Sequence, residues 1–172
     1  MIRHPKRRGE WVELQFMARA AAQNLVVSKP WGDSARYDFI VDSRGHYSRV
    51  QVKSTTFKDG SAYLCNTISR PPQRNQPGIA YTPDDIDFFA FYIIPEEIWY
   101  IVPIAELRKA RYAAYLNPYD PKNRYFPYLE AWHLLKDSRT APAKSPKRLR
   151  RIHACAESAL QPGLFSPASN LW

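Results

Sequence analysis

Apolar and polar residues alternate along residues 36–54, with one interruption at Arg44-Gly45, and this pattern constrains the fold more than any other stretch of the chain. Alternation with a period of two is typical of a half-buried β-strand. A short polar break that contains glycine, set between two alternating runs, indicates a tight turn. The stretch therefore predicts a β-hairpin in which Ser43 faces His46 and the pairing continues outward from that point.

The polar face of this hairpin carries an unusual set of groups. The register puts Asp38 opposite Gln51 and Arg36 opposite Lys53, with the Cβ atoms of opposing residues about 5 Å apart. A carboxylate, an amide oxygen and an ammonium group thereby share one surface, and the two oxygen ligands are close enough to share a divalent ion. The other face is apolar and is expected to pack inward: Tyr37, Phe39, Val41, Val50 and Val52.

These polar groups suit the cleavage of a phosphodiester bond. A hard cation held by carboxylate and carbonyl oxygens polarises a phosphate and lowers the pKa of a bound water. A nearby lysine can orient that water or offset the negative charge that develops at phosphorus. The alternation alone is equally compatible with a hairpin whose polar face is simply solvated.

The charge of the chain points to a polyanionic partner. Its formal net charge is +9, and basic residues crowd the first eight positions and residues 138–172. Basic surfaces gain affinity for nucleic acid by releasing counterions from phosphates. Nucleic acid is therefore the leading partner, although such charge can also serve solubility alone.

Periodicity and turn signals divide the rest of the chain into elements. The predictions are helices over 9–24, 105–114 and 126–137, strands over 25–29 and 61–67, a Pro-rich loop over 69–78, and a buried hairpin from the runs at 87–94 and 98–104. Residues 1–137 are expected to form one domain, and residues 138–172 a basic, flexible tail rich in Pro, Ala and Ser.

Several classes of protein are disfavoured by the composition. Cys65 and Cys155 are far apart and lack the spacing of a zinc site, so both are expected to be free thiols. The chain has no apolar run approaching the roughly 20 residues of a membrane span, and the basic N-terminus lacks the pattern of a secretory signal. A soluble, cytoplasmic protein is expected.

The order of these features resembles a known nuclease family. A helix with an acidic residue, a strand, "YD" opening a hydrophobic strand and "QVK" in the next strand resemble the PD-(D/E)XK nuclease core. The stretches "RRGEWVEL", "KPWGDSARYDFIVDSRGHYSRVQVKS", "NT", "YTPDDIDFFAFYI" and "IWYIVP" are most similar to bacterial group I intron homing endonucleases. Archaeal Holliday-junction resolvases are a more distant likeness. The similarity spans about residues 8–136.

The resemblance implies an α/β (α+β) fold with a restriction-endonuclease-like αβββαβ core, in which helices flank a mixed central sheet. It implies that Asp38, Gln51 and the Val52 carbonyl hold Mg²⁺, with Mn²⁺ as a substitute, and that Lys53 is the catalytic ammonium. Gln51 stands where most of the superfamily has Asp or Glu, so the site has one formal negative charge fewer. The intron-encoded branch is known for this glutamine.

A further ligand is expected from the first helix. Glu13 lies four positions after Gly9, as in the G-x-x-x-E arrangement of the resolvase-like branch, and is the preferred candidate. Glu10 lies one turn earlier on nearly the same face and could assist, or could simply favour the N-terminal end of the helix dipole.

Other residues are candidates for contacts with the substrate, and each could equally be an ordinary surface residue. Candidates for phosphate contacts or for support of the site are Lys29, Ser34, Arg36 and Ser54, with Glu10 in the same role. Candidates for DNA binding are Arg7, Arg8, Arg70 and Arg74, the last two within the loop at 69–78.

The function implied by the resemblance is a Mg²⁺-dependent endonuclease that cuts double-stranded DNA and leaves a 5′-phosphate. A homing endonuclease acting as a dimer or tetramer is the preferred subtype, because two cuts in a duplex need two sites. The alternatives are a junction-resolving nuclease, which would recognise branched DNA by its shape, and a catalytically silent DNA-binding module of the same fold. Protein association through the aromatic hairpin is a third possibility.

Overall fold

The structure of the chain is a computed structural model that describes residues 2–32, 34–69, 77–107 and 112–136. It contains the helix α1 (Pro5–Ala22) and the strands β1 (Val26–Ser28), β2 (Phe39–Ser43), β3 (His46–Thr55), β4 (Lys58–Asp59), β5 (Ala62–Asn66), β6 (Ile68–Ser69), β7 (Ile79–Ala80), β8 (Phe88–Ile93), β9 (Ile98–Pro103) and β10 (Ala113–Leu116). Short 3₁₀ turns cover Ile94–Glu96, Ile104–Leu107, Phe126–Tyr128 and Trp132–Leu135.

Five strands form a mixed central sheet in the order β1-β2-β3-β8-β9. Strands β3 and β8 are parallel, with Gln51 beside Phe89, and the other neighbouring pairs are antiparallel. Strands β8 and β9 are almost entirely buried, as expected for continuous apolar runs covered on both faces. The expected mixed sheet and α+β class are confirmed.

The predicted hairpin has the predicted register. Ser43 pairs with His46 and Phe39 with Val50. Beyond this last pair the Asp38 amide donates to the carbonyl of Val50, the partner of Phe39, at 2.9 Å, so the regular pairing ends there. The turn has φ of 55° at Arg44 and 85° at Gly45, two consecutive left-handed residues that match the twist of the flanking strands. The chain therefore fixes, within one tight turn, which residues share each face of β2 and β3.

Helix α1 covers one face of the sheet. Its buried residues Val12, Phe16 and Ala20 recur every four positions, so they form one stripe along the helix. This stripe packs in one core cluster with the inward residues of the hairpin, Phe39, Val41, Val50 and Val52. Tyr37 does not join them: it precedes the first residue of β2, falls outside the alternation of the strand, and packs against the core on the opposite face.

The opposite face is covered by β-structure where the αβββαβ pattern predicted a helix. A second sheet in the order β10-β5-β4 packs on it, and Tyr63, Cys65, Ala114 and Leu116 join the central residues Phe89, Phe91, Tyr100 and Val102 in one cluster. Over the described ranges, α1 is the single α-helix, so the second helix of the αβββαβ pattern is not among the described elements.

The two later helices predicted from the sequence are wrong. Residues 113–116 form β10, because their backbone pairs with β5 and buries Ala114 and Leu116 alternately. The described residues 126–136 contain two 3₁₀ turns separated by Leu129, Glu130 and Ala131, and Glu130 has φ of 49°, which ends any helix there. Tertiary pairing overrides helix propensity in both places.

Other expectations fall partly or wholly outside the described residues. The ends of the predicted loop at 69–78 are held together by β6 and β7, where Ser69 pairs with Ile79, whereas residues 70–76 and the predicted tail at 138–172 lie outside the described ranges. Across those ranges, no helix has both the length and the apolar character that crossing a bilayer requires.

Glu130 joins the C-terminal turns to the central sheet. One carboxylate oxygen accepts the Trp99 amide of β9 at 2.8 Å, and the other accepts Trp132 Nε1 at 2.8 Å and the Arg19 guanidinium of α1 at 3.2 Å. The Glu130 amide in turn donates to the Trp99 carbonyl at 2.8 Å. One side chain thus connects α1, β9 and the last 3₁₀ turn.

We expect Glu130→Ala to lower the free energy of unfolding by about 2–3 kcal/mol, because it leaves a strand amide and a buried indole without their acceptor. Glu97 is the matched control, since it is exposed and also has a positive φ, 54°; Glu97→Ala should change the stability by less than about 0.5 kcal/mol. Chemical denaturation of both variants checks this, and equal losses would show that the Glu130 contacts are not stabilising.

Candidate active site

Asp38 is the centre of the candidate site. Its Oδ2 accepts two hydrogen bonds from β3, one from Gln51 Nε2 at 2.7 Å and one from the Val52 amide at 2.7 Å. Asp38 lies just before β2, next to the last pair of the ladder, Phe39 with Val50, and its amide donates to the same Val50 carbonyl. The sequence-based prediction that the side chains of Asp38 and Gln51 meet is therefore realised by a direct hydrogen bond.

The Gln51 amide lies between two oxygen atoms. Its Nε2 also approaches the Val52 carbonyl at 3.4 Å, and the side chain is only 7% exposed. The partial positive charge of the NH₂ group is thus directed at the Asp38 carboxylate and at a main-chain carbonyl. These are oxygen atoms that a hard cation could also bind.

Glu13 is the acidic residue of α1 that acts on this centre. Its Oε2 forms an ion pair with Nζ of Lys29, the residue that follows β1, and accepts a hydrogen bond from it at 2.6 Å. The negative charge of Glu13 contributes to raising the pKa of Asp38. Glu10 is exposed and is not among the groups that shift the pKa of Asp38. Of the two glutamates weighed from the sequence, Glu13 is the one near Asp38.

Burial is the main reason why Asp38 binds its proton more tightly than usual. Burial, together with the charge of Glu13, raises the pKa of its carboxyl from 3.8 to about 6. The hydrogen bond from the Val52 amide, the charge of Lys53 and the hydrogen bond from Gln51 lower it, but do not compensate for burial. Burial therefore disfavours the charged form of Asp38, and a bound cation would offset this effect.

Lys53 lies on the same surface. It alternates with Val52 along β3, so its side chain points to the face of Gln51, and its charge acts favourably on Asp38. Its Nζ lies 5.5 Å from the centre of the Tyr81 ring. Acid, amide and ammonium thus occupy one face of the β2–β3 pair.

Arg36, expected to contact phosphate, is held by protein groups. Its guanidinium donates to the Ala80 carbonyl at 3.0 Å, forms an ion pair with Asp85 at 2.9 Å, and lies 4.8 Å from the centre of the Tyr81 ring. Asp85 is itself fixed by hydrogen bonds from the Thr82 amide and hydroxyl. A phosphate would have to compete with Asp85 for Arg36.

The remaining candidates are distributed around this centre. Lys29 pairs with Glu13, Ser34 is exposed, and Ser54 is partly buried beside Lys53. Arg7 is exposed and Arg8 partly buried near the start of α1, whereas Arg70 and Arg74 lie outside the described residues.

Two aromatic residues, one beside the site and one in the loop before Asp38, were missed in the sequence. Trp31 is fully exposed in the loop that leads towards Asp38, and Tyr81 lies beside both Lys53 and Arg36. Nothing in the spacing of Tyr81 marks it, because it reaches the site only through the pairing of β6 with β7. Trp31 could have been noted from its position in the short "PWGDS" loop.

The donor set fits a hard, oxygen-preferring divalent cation better than a metal that prefers nitrogen or sulfur ligands. Two carboxylates, one carboxamide and one carbonyl are oxygen ligands, which Mg²⁺ and Mn²⁺ prefer. Within the described part of the chain, no group of three or more His, Cys, Asp or Glu residues is arranged to hold a metal. A metal at Asp38 would therefore depend on the amide and carbonyl oxygens.

The fold is that of a restriction-endonuclease-like nuclease, as comparison with known proteins shows. A solved structure described as that of a bacterial homing endonuclease, I-Ssp6803I, is similar with a TM-score of 0.67 and 29% sequence identity, over 76% of this chain and 92% of that chain. None of the curated proteins matches the sequence. The family described as PD-(D/E)XK endonuclease matches residues 3–135.

The chain belongs to the PD-(D/E)XK endonuclease family. Together with the similar solved structure, this membership makes it a nuclease of the homing-endonuclease-like kind. The resemblance seen in the sequence is confirmed.

The raised pKa of Asp38 makes a prediction about stability. The folded protein binds this proton more tightly than the unfolded chain does, so stability should fall as the pH rises from 3.8 to about 6 and then level off. In the presence of a chelator, we expect Asp38→Asn to be more stable than the wild type by about 1–2 kcal/mol near pH 8, and the difference to vanish near pH 4.

Denaturant unfolding at several pH values measures this difference. Asp42→Asn is the control for exchanging a carboxylate for a carboxamide in the same hairpin, because Asp42 accepts only the Gly45 amide of the turn among the described hydrogen bonds. Parallel stability curves for the wild type and Asp38→Asn would show that burial does not disfavour the Asp38 charge.

Proposed function

We propose that the protein is a Mg²⁺-dependent endodeoxyribonuclease whose metal is held by Glu13, Asp38, Gln51 and the Val52 carbonyl, with Lys53 as the catalytic ammonium. The observation that carries this proposal is the hydrogen-bonded Asp38–Gln51 pair beside a second carboxylate, Glu13. A structural ion pair would have neutralised Asp38, whereas here its charge is only partly compensated. Such perturbed carboxylates are typical of functional sites.

The side chains have separate tasks in this proposal. When bound, the metal supplies a Lewis acid that polarises the phosphodiester and a water of lowered pKa. The negative charges of Asp38 and Glu13 would balance the positive charge of the metal, and the ion pair with Lys29 orients the Glu13 carboxylate. Lys53 stabilises the negative charge that develops on the phosphate oxygens as the P–O bond breaks.

Gln51 must change its orientation to act as a ligand. Its nitrogen has no free lone pair and now donates to Asp38, so the amide has to turn to present Oε1. Binding therefore exchanges one hydrogen bond for one neutral oxygen ligand. We expect weak affinity for Mg²⁺, and Mn²⁺ as an effective substitute.

The substrate we propose is double-stranded DNA, cut to leave a 5′-phosphate by a dimer or tetramer in the cytoplasm. The charge of +9 favours a polyanion, and the similar structure is that of a homing endonuclease. Arg7 and Arg8 on α1 and Arg70 and Arg74 between β6 and β7 would contribute phosphate or base contacts, with Ser34, Ser54 and Arg36 nearer the cleaved bond and Glu10 in support.

A catalytically silent DNA-binding module is the second candidate. The glutamine in place of an acid and its hydrogen bond to Asp38 favour it, because together they stabilise the site without a metal. This candidate predicts salt-dependent binding to DNA without cleavage.

We expect the wild type to cleave duplex DNA in Mg²⁺, and Asp38→Asn and Lys53→Ala each to reduce the rate by at least about a hundredfold. The first substitution removes a charged ligand of the metal, and the second removes the cation that stabilises charge at the phosphate. The substrates are a random-sequence duplex library and synthetic four-way junctions, and sequencing of new 5′-phosphate ends detects cuts. Cleavage confined to junctions would instead identify a resolvase.

Asp42→Asn and Lys58→Ala are matched controls for the two substitutions. Asp42 supports the hairpin turn and Lys58 lies over Tyr63, so neither belongs to the proposed site. Both should cleave like the wild type. Binding without cleavage by the wild type would favour the silent module, and equal cleavage by all five proteins would exclude this centre.

Gln51→Glu should have opposite effects with and without metal. A second carboxylate at hydrogen-bonding distance from Asp38 should tighten Mg²⁺ binding by about tenfold. Without metal, the two carboxylates should repel each other and lower stability by about 1–2 kcal/mol near pH 8. Calorimetric titration and chelator-treated unfolding measure these effects, and unchanged metal affinity would remove Gln51 from the ligand set.

A further inference from the structure

Tyr81 is fixed at the edge of the candidate site by its neighbours. It directly follows β7, and its ring meets Phe89 edge to face, with the centroids 5.2 Å apart and the planes at 84°. Phe89 is the β8 partner of Gln51 in the parallel pairing with β3. The Tyr81 ring therefore rests on the residue adjacent to the proposed ligand.

Two cations lie close to this ring. Lys53 Nζ is 5.5 Å and Arg36 Cζ 4.8 Å from the ring centre. A cation within about 6 Å of the centre of an aromatic face is attracted by the negative face of the ring. The phenol also remains neutral, because burial, followed by the charge of Asp38, raises its pKa to about 12.

Arg36 makes this arrangement rigid. It is tied to the Ala80 carbonyl and to Asp85, on either side of Tyr81 in the chain, so the segment from β7 to Asp85 is connected to the loop that leads into Asp38. The ring is thereby held from three directions: by the main chain of β7, by Phe89 and by Arg36. The Lys53 ammonium is carried on a flexible four-carbon side chain, and the fixed Tyr81 ring gives it a neighbour of defined position.

We propose that Tyr81 is a positioning residue that holds the Lys53 ammonium beside the Asp38–Gln51 pair. This inference rests on the proposed function, in which Lys53 acts on the phosphate. The face of the ring restricts the positions that the ammonium samples, and so keeps it oriented before the substrate arrives. The hydroxyl has no part in this role, whereas the aromatic ring is required.

Two substitutions distinguish the effect of the aromatic face of Tyr81 from the effect of its apolar bulk. Tyr81→Phe keeps the aromatic face and the packing on Phe89, whereas Tyr81→Leu keeps an apolar side chain but loses the face. The Phe variant should therefore behave like the wild type, and the Leu variant should release Lys53.

Lysine NMR measures the contact without metal or DNA. Reductive ¹³C-dimethylation labels the lysine ammonium groups and keeps their charge, and Lys53→Arg assigns the Lys53 signal by its loss. This signal should be shifted by the ring current in the wild type and in Tyr81→Phe, and should move to the position of solvent-exposed lysines in Tyr81→Leu. Lys58, 5.3 Å from the centre of the Tyr63 ring, provides an internal control that neither substitution should move.

Single-turnover cleavage measures the consequence. Tyr81→Leu should slow the bond-breaking step by about tenfold, equivalent to about 1.4 kcal/mol of barrier, while DNA binding in chelator stays within about twofold of the wild type. Tyr81→Phe should cleave at the wild-type rate. Loss of binding together with cleavage, or an equal loss in both variants, would overturn the positioning role.

The failure of this inference can be told apart from that of the proposed function. If Asp38→Asn and Lys53→Ala abolish cleavage but Tyr81→Leu cleaves normally, Lys53 is catalytic and Tyr81 does not position it. A wild-type Lys53 signal without a ring-current shift overturns the inference by itself, even if Tyr81→Leu does not fold. If Asp38→Asn and Lys53→Ala both cleave normally, the proposed active site fails whatever the NMR result.

Discussion

The register of β2 against β3 is the constraint on which the other features depend. Two left-handed residues, Arg44 and Gly45, set it at the turn, and the Asp38 carboxylate secures it at the open end by accepting the Val52 amide. Because side chains alternate between the faces of a strand, a shift of one residue would send Asp38 into the core with α1 and bring Phe39 to the surface. The same pairing thus specifies the hydrophobic core and the candidate site.

The site combines features that stabilise the fold with one that opposes it. The hydrogen bonds from Gln51 and Val52 stabilise Asp38, whereas its burial near Glu13 disfavours the charge. A residue selected only for stability would not be a carboxylate in this position. Retention of unfavourable charge is expected where a protein binds a cation or a charged transition state, at the expense of stability.

The sequence was sufficient where local pattern and topology agree. Alternation and turn chemistry predicted the hairpin, and hence that Asp38 meets Gln51, because a two-residue turn leaves one register. Prediction from the sequence failed where tertiary contacts decide the secondary structure. Residues 113–116 include good helix formers but form a strand, because β5 offers an unpaired edge. Tyr81 was missed for the same reason, since a distant strand pair brings it to Lys53. The family resemblance predicted a second helix and did not anticipate the β-structure that covers the sheet face opposite α1.

The parallel pairing of β3 with β8 also bears on how such an enzyme can diversify. A parallel pair requires a long connection, and here the connection runs from residue 56 to residue 87, through the small strands that pair with one another. Ser69 and Ile79 close the ends of one part of it, so insertions or deletions between them leave the frame of Asp38, Gln51 and Lys53 unchanged. If the connection contacts DNA as proposed, evolution can vary it, and with it the choice of target, independently of the residues proposed for the chemistry.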